Sequence, residues 1–308
     1  MRSLLIGGAG FIGSHLARRL VAEGHEVVVA DDLSRGRIDD LKDLPITFQW
    51  VNVTQKEWQV PLVGIWDWVF CLAAVVGVPN VEKDPHRTLA VGTGATLGAL
   101  SPFIQTRKFF FASTSEAYGN PAQIPTPETS PLSVPDTTSA RSTYAISKLW
   151  GEAMVAQSGR PYVIARFHNV YGPRMGTDHV IPKFCLQLKA GLDPVKVHDP
   201  DAVRAFCYVE DAVEAVVRLM RLPTNSHVVN IGNPLEPISM WNLMSRLIAI
   251  VTREFDREHT LIQVPFRHKE APIRRRIPDI TRLQELTGWA PKVILDEGLA
   301  RTWAWYRQ

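Results

Sequence analysis

Leu4-Leu5-Ile6-Gly7-Gly8-Ala9-Gly10-Phe11-Ile12-Gly13 runs a short apolar strand pattern into a glycine-rich turn, and a helical pattern follows from Ile12 to Ala22. Glycines 8, 10 and 13 fit the spacing of a dinucleotide loop; glycines 7, 10 and 13 fit its variant with a wider first gap. Glycine permits the tight turn, lets backbone approach a pyrophosphate and lets the helix pack close to the strand. A helix starting near Phe11 aims its first N–H groups at that anion. A second, β-branched run, Glu26 to Ala30, ends at Asp31-Asp32. An acid there accepts hydrogen bonds from both ribose hydroxyls of NAD and repels the extra phosphate of NADP. Arg35 and Arg37 carry the competing reading, because guanidinium groups can take that phosphate. Asp31 at the strand end favours NAD.

The same rhythm continues outward. Strand patterns at Ile46–Val53, Trp66–Ala73, Lys108–Ala112 and Tyr162–Arg166 alternate with helical patterns at Arg87–Leu100 and Tyr144–Gln157. Such alternation predicts an α/β fold, a Rossmann-type doubly wound parallel sheet with helices on both faces. Beyond about Arg166 prolines and glycines become frequent and elements shorten. Val228–Ile231 reads as a late strand of the main sheet, and Met240–Val251, Ile280–Thr287 and Asp296–Tyr306 read as helices. The expected organisation is an NAD-binding domain over 1–167, a returning segment at about 205–232, and a smaller C-terminal substrate-binding lobe within 168–308.

Composition narrows the class. A net charge of +3 gives no basic stripe for nucleic acid, and Arg274-Arg275-Arg276 is too short to be one. The longest apolar stretch, Trp68 to Pro79, is too short to span a bilayer. Cys71, Cys185 and Cys207 form neither a disulfide framework nor a metal-ligand spacing, so no metal site and a cytoplasmic setting are expected.

Tyr144-Ala145-Ile146-Ser147-Lys148 puts a tyrosine and a lysine one helical turn apart. An ammonium neighbour, with the positive nicotinamide ring, favours the phenolate, which can take a proton from a sugar hydroxyl while hydride leaves for NAD. Lys148 can also hold the nicotinamide ribose. Phe109–Ala112 ends in Ser113-Thr114-Ser115-Glu116, at the strand end that faces the ligand crevice. A hydroxyl at Thr114 can share the substrate proton, and Glu116 can act as a base on a sugar carbon acid.

Taken together, these segments resemble an extended short-chain dehydrogenase/reductase of the nucleotide-sugar epimerase/dehydratase family. The resemblance spans Gly7–Gly13, Asp31, Leu72-Ala73-Ala74, Ser113–Gly119 and Tyr144/Lys148. It continues through Arg166–Arg174, Arg204–Ala212, Asn230–Gly232, Arg274–Asp279 and Gly288–Lys292. It implies NAD contacts at Gly7, Gly10, Phe11, Ile12, Gly13, Asp31, Asp32, Asn52, Leu72, Ala73, Ala74, Tyr144 and Lys148. It implies that Asn169, Arg204 and one of Arg275 or Arg276 meet a substrate diphosphate, with His179 and Lys183 as further substrate contacts. A homodimer through the helices at Arg87–Leu100 and Tyr144–Gln157 is implied as well. The chain departs from the family pattern at three places: Asn52 replaces an aspartate, Cys71 a histidine and Gly92 an asparagine.

The resemblance implies oxidation at sugar C4 to a 4-keto intermediate. A dehydratase or base-assisted epimerase ranks first, because Glu116 fits a base at C5. A plain 4-epimerase needs only Tyr144, Lys148 and Thr114. A uronic acid decarboxylase ranks third: Gly172-Pro173-Arg174-Met175 resembles that branch, but His179 stands where an arginine is usual. A non-catalytic NAD-binding module would typically lack Tyr144 or Lys148, and both are present.

Overall fold

The computed structural model describes residues 1–223, 225–255, 259–264 and 273–308. Its chain begins β1 (Arg2–Ile6), α1 (Phe11–Ala22), β2 (Glu26–Asp31), β3 (Thr47–Trp50), β4 (Gly64–Cys71), α2 (Val78–Lys83), α3 (Pro85–Ala99) and β5 (Ile104–Thr114). It continues α4 (Ser142–Ala156), β6 (Tyr162–Phe167), β7 (Val170–Tyr171), α5 (Val180–Lys189), β8 (Val195–His198), β9 (Val203–Ala205), β10 (Cys207–Tyr208) and α6 (Val209–Arg221). The last described elements are β11 (His227–Ile231), β12 (Pro237–Ser239), α7 (Met240–Phe255), β13 (Leu261–Val264), β14 (Arg275–Arg276), α8 (Thr281–Thr287) and α9 (Leu295–Tyr306).

Seven strands form one parallel sheet in the order β11-β6-β5-β4-β1-β2-β3. Strand order reverses at β1, between β2 and β4, and that reversal opens a crevice at the carboxyl ends. The central strands are apolar because both faces are covered. Leu5, Val29 and Phe70 belong to one core, under α1 and α6, and Leu4, Ile6, Val69 and Phe109 to the other. The first core runs on into the C-terminal half through Val195, Phe206, Leu243 and Trp303.

The alternating rhythm is present as expected, including β11 beside β6. Boundaries moved where pairing decided them. The Ile46–Val53 pattern gives a strand only over Thr47–Trp50, the residues that pair with Val28–Asp31 of β2. The Lys108–Ala112 pattern extends to Ile104–Thr114, because β4 and β6 flank it on both sides. Lys108 within it is 3% exposed, its ammonium donating to the carbonyls of Leu219, in the last turn of α6, and of Leu222 and Pro223 just after it. The strands β7–β10 and β12–β14 are two to four residues long. They form small separate sheets, β12-β9-β14 among them.

Candidate active site

The glycine loop is shaped by backbone contacts that no side chain could share. Gly7 has a φ of +80°, and a Cβ there would meet the Ala73 backbone nitrogen at 2.6 Å. A Cβ on Gly13 would lie 2.7 Å from the Gly7 carbonyl oxygen. The loop is therefore pressed against Leu72-Ala73-Ala74 and against its own helix. No side chain caps α1 at Gly10, so its first N–H groups, from Phe11 onward, remain available to an anion. Asp31 ends β2 beside this turn. Its carboxylate accepts from the N–H groups of Ala9 (3.0 Å) and Leu33 (2.9 Å) and retains lone pairs for ribose hydroxyls. Burial raises its pKa above the ordinary aspartate value, against those two bonds. This cradle fits NAD: a bare backbone concavity for the pyrophosphate, then a held carboxylate one strand away.

Other members of the expected cofactor set lie around it. Asp32 faces Arg87 of α3 at 3.6 Å. The Asn52 side-chain oxygen accepts from both the N–H and the hydroxyl of Thr54, at 3.0 and 2.8 Å, closing its own turn. Arg35 is engaged by Asp178, at 3.2 Å. Gly92, the departure on α3, has a structural reason: a Cβ there would meet Ser147 of α4 at 2.8 Å. The two helices approach closely between Tyr144 and Lys148.

Lys148 is 3% exposed, donates to the Ala112 carbonyl at 2.6 Å and lies 5.1 Å from the centre of the Phe111 ring. Burial lowers its pKa to about 8. Its ammonium is 5.9 Å from the Tyr144 ring centre. Tyr144 behaves differently from the sequence-based expectation. Burial, and then the Glu116 carboxylate, push its pKa above the ordinary phenol value, and a hydrogen bond with the Thr114 side chain opposes them. In the protein alone Tyr144 is a neutral phenol, because burial and the Glu116 carboxylate both disfavour the phenolate. Thr114 ends β5 and accepts from the Glu116 N–H at 3.2 Å, starting the short turn Ser115–Tyr118. Ser115 is buried.

Glu116 faces Arg276 at 3.7 Å. Arg276 pairs in register with Arg204 across β14 and β9, while Arg275 pairs with Val203. Successive side chains of a strand point to opposite faces. The structure therefore brings Arg276 and Arg204 to the Tyr144 side and turns Arg275 away, into a depression with Val203, Ile238 and Arg246. Arg204 is pushed down to about 10, first by burial and then by Arg276, with Arg141 adding to the repulsion. The Arg276 Nε is buried with no hydrogen-bond partner. Two crowded guanidinium groups with an unmet donor form a site that an anion would relieve. Asn169, at a φ of +40°, donates to the Ala205 carbonyl at 3.2 Å and so joins β9 to this group. His179 precedes α5; burial and then Arg35 lower its pKa, which leaves it a neutral imidazole at pH 7. Lys183 lies one turn further along α5.

Three contributions were not among the residues singled out from the sequence. Arg141 lies within electrostatic reach of Arg204. Glu152 helps hold the charge on Lys148. Asp178 joins Arg35 to Asn80. Only Glu152, four residues after Lys148, carries a spacing signal; the others are brought in by long-range folding. No helix among the described residues is long and apolar enough to cross a membrane.

The chain is similar to known proteins in sequence and in fold. The profile described as NAD dependent epimerase/dehydratase family matches residues 3–232. The chain is 32% identical to a UDP-N-acetyl-alpha-D-glucosaminuronate decarboxylase of Bacillus cytotoxicus, with 100% of this chain and 98% of that protein covered. Among solved structures it resembles the UDP-glucose 4-epimerase of Thermotoga maritima with UDP-glucose, at 31% identity and a TM-score of 0.83, covering 100% and 99% of the two chains. It also resembles an NAD-dependent NDP-hexosamine 5,6-dehydratase involved in tunicamycin biosynthesis, at 30% identity and a TM-score of 0.82, covering 99% and 97%.

Proposed function

We propose a reaction for this chain, which belongs to the NAD dependent epimerase/dehydratase family and is an NAD-dependent enzyme: it oxidises C4 of a nucleotide-diphosphate sugar and then uses the ketone to act at C5. The observation that carries the reading is the group opposite Tyr144, where the Glu116 carboxylate acts on Tyr144 and faces Arg276, beside the crowded Arg204. A diphosphate relieves the repulsion between the guanidinium groups, and Asn169 steadies the strand that presents Arg204. When NAD is bound, its positive nicotinamide ring offsets the burial that keeps Tyr144 protonated, and Tyr144 as phenolate takes the C4 hydroxyl proton, assisted by the Thr114 side chain. Lys148 is held by Ala112 on the cofactor side. NAD, bound at the glycine loop, supplies the hydride acceptor and returns the hydride later.

A C4 ketone acidifies the C5 hydrogen, and Glu116 is the base for it. Glu116 faces Arg276 at 3.7 Å and acts on Tyr144, which puts a carboxylate on the substrate side in addition to the tyrosine. This favours a dehydratase or base-assisted epimerase over a plain 4-epimerase. Decarboxylation of a nucleotide uronic acid is the second reading. The full-length similarity to a uronic acid decarboxylase supports it, and loss of a carboxylate beside a ketone needs no base at C5.

The test is incubation with NAD and a panel of nucleotide sugars and uronic acids in deuterated water, followed by NMR. Deuterium at C5 with loss of water identifies a dehydratase, and deuterium at C5 with inversion a base-assisted epimerase. Loss of the carboxyl carbon identifies the decarboxylase. Inversion at C4 without deuterium removes the role given to Glu116, and no conversion removes the reaction. We read residues 1–167 with about 205–232 as the cofactor domain. Three free, buried cysteines fit a reducing, cytoplasmic setting. A homodimer would use the outward faces of α3 and α4, where Leu97 is 52% exposed; light scattering after size exclusion tests it.

A further inference from the structure

Loops after β2 and β4 straddle the carboxyl end of β1, where the glycine loop lies. Arg35 belongs to the first of these loops, which is fastened to the glycine turn by the Arg37 N–H donating to the Ala9 carbonyl at 3.1 Å. Asn80 belongs to α2, on the far side of the same crevice. Asp178 enters from the segment before α5, 143 residues from Arg35 and 98 from Asn80. One oxygen of its carboxylate accepts from both: from Arg35 Nη2 at 3.2 Å and from Asn80 Nδ2 at 2.7 Å. The Asn80 amide is itself aimed by the Val76 carbonyl, at 3.0 Å.

The backbone is cut to fit this meeting. A Cβ on Gly176 would lie 2.9 Å from Arg35 Nη2, and one on Gly77, whose φ is +87°, would lie 3.0 Å from both Asp178 Cβ and Asn80 Nδ2. Glycines on either side thus leave room for three chain segments to touch. The Arg35 and Asp178 side chains are 30% and 32% exposed, so the contact forms the outer wall of the crevice. The route from one flank of β1 to the other passes over the turn that cradles the pyrophosphate. Nothing in the C4 or C5 chemistry needs these groups.

We infer that Arg35, Asp178 and Asn80 form a clasp that closes the cofactor crevice and holds the dinucleotide in place between turnovers. This rests on the NAD reading of the glycine loop. Such retention suits a reaction in which the hydride taken from the sugar must be given back, because a reduced cofactor that escapes leaves the cycle unfinished. Asp178 and Arg35 are positioning residues here: they touch each other across the mouth and leave the reacting atoms to Tyr144 and its neighbours.

The experiment measures escape directly and without any sugar. Purified protein is loaded with NADH, freed of excess, and mixed with lactate dehydrogenase and pyruvate, which oxidise only NADH that has left the site; fluorescence reports the rate. Asp178→Asn weakens the contacts to both Arg35 and Asn80 and Arg35→Gln the one to Asp178, and each variant should speed release about five- to tenfold. The charge exchange, Arg35→Asp with Asp178→Arg, should bring release back to within about twofold of the parent. Thermal midpoints should stay near the parent value, since both side chains lie at the surface. Unchanged release in both single variants overturns the clasp, and so does an exchange variant as leaky as the singles. A parent protein that holds no NADH overturns the clasp together with the cofactor reading, which separates that failure from the first two.

Discussion

Replacing Arg166 by methionine tests how the catalytic helix is held. Arg166, near the end of β6, donates to Glu152 of α4 through Nε to Oε1 at 3.0 Å and through Nη2 to Oε2 at 2.7 Å. The two side chains are 6% and 8% exposed. Glu152 also accepts from the Ser113 hydroxyl at the end of β5, and Arg166 also donates to the Tyr118 hydroxyl at 3.0 Å. Glu152 lies one turn beyond Lys148, so this pair sets the rotation and height of α4 against the sheet, and through them the place of Lys148 and Tyr144. Arg166→Met leaves a buried carboxylate without its cation. Breaking a buried pair from one side costs about 3–5 kcal/mol. At roughly 2 °C per kcal/mol for a chain of this size, the thermal midpoint should fall by about 6–10 °C. Removing both charges, Arg166→Met with Glu152→Leu, should recover most of that loss, so the double variant should lose far less than the sum of the two singles in a double-mutant cycle. Urea unfolding followed by circular dichroism supplies the four free energies. A single variant that loses less than about 1 kcal/mol, or a double variant that loses the sum of the singles, would refute the reasoning.

Tyr144→Phe should lower kcat by about 100-fold or more, the usual worth of a general acid–base group, and leave NADH binding intact by fluorescence titration; joint loss of both would place Tyr144 in the fold rather than the chemistry. Lys148, lowered by burial to about 8, carries its charge below that pH and loses it above. Activity should therefore fall as pH rises through about 8, whereas Lys148→Arg, which keeps its charge, should lose that limb of the profile. Because the unfolded chain holds that proton up to the ordinary lysine value, stability should rise with pH between about 8 and about 10.4; the slope of unfolding free energy against pH in parent and Lys148→Met measures it. Gly151→Ala places a Cβ 2.3 Å from the Phe111 ring on the face where α4 meets β5. It should cost about 1–3 kcal/mol by overpacking and lower turnover with it, read from urea midpoints and initial rates.

The parts of this site that could be read without coordinates are those in which neighbours in sequence are neighbours in space. Gly7, Gly10 and Gly13 with Asp31 make one strand–turn–helix–strand unit, and Tyr144 with Lys148 one helical turn. Thr114, Ser115 and Glu116 needed only the rule that a parallel strand delivers its last residues to the crevice. The short strands were another matter. β7, β9, β10 and β14 have two or three residues each, too few to leave a periodicity. Arg275 and Arg276 were equivalent on paper, and only pairing with β9 gave them opposite faces. Asn52 was expected among the NAD contacts from the family pattern, and only the folded turn shows its oxygen accepting two bonds from Thr54, two residues on.

From sequence alone the cofactor loop, the parallel sheet and the tyrosine–lysine pair were determined, because local backbone geometry and side-chain period specify them. The tertiary structure decided the electrical state of the site. Tyr144 is neutral because burial and the Glu116 carboxylate disfavour its phenolate, and Lys148 is lowered to about 8 because burial penalises its charge. It also decided that Arg35, four residues past Asp31, is held by a carboxylate from the other half of the chain. Such contacts depend on where distant segments meet, and no spacing in the sequence records that.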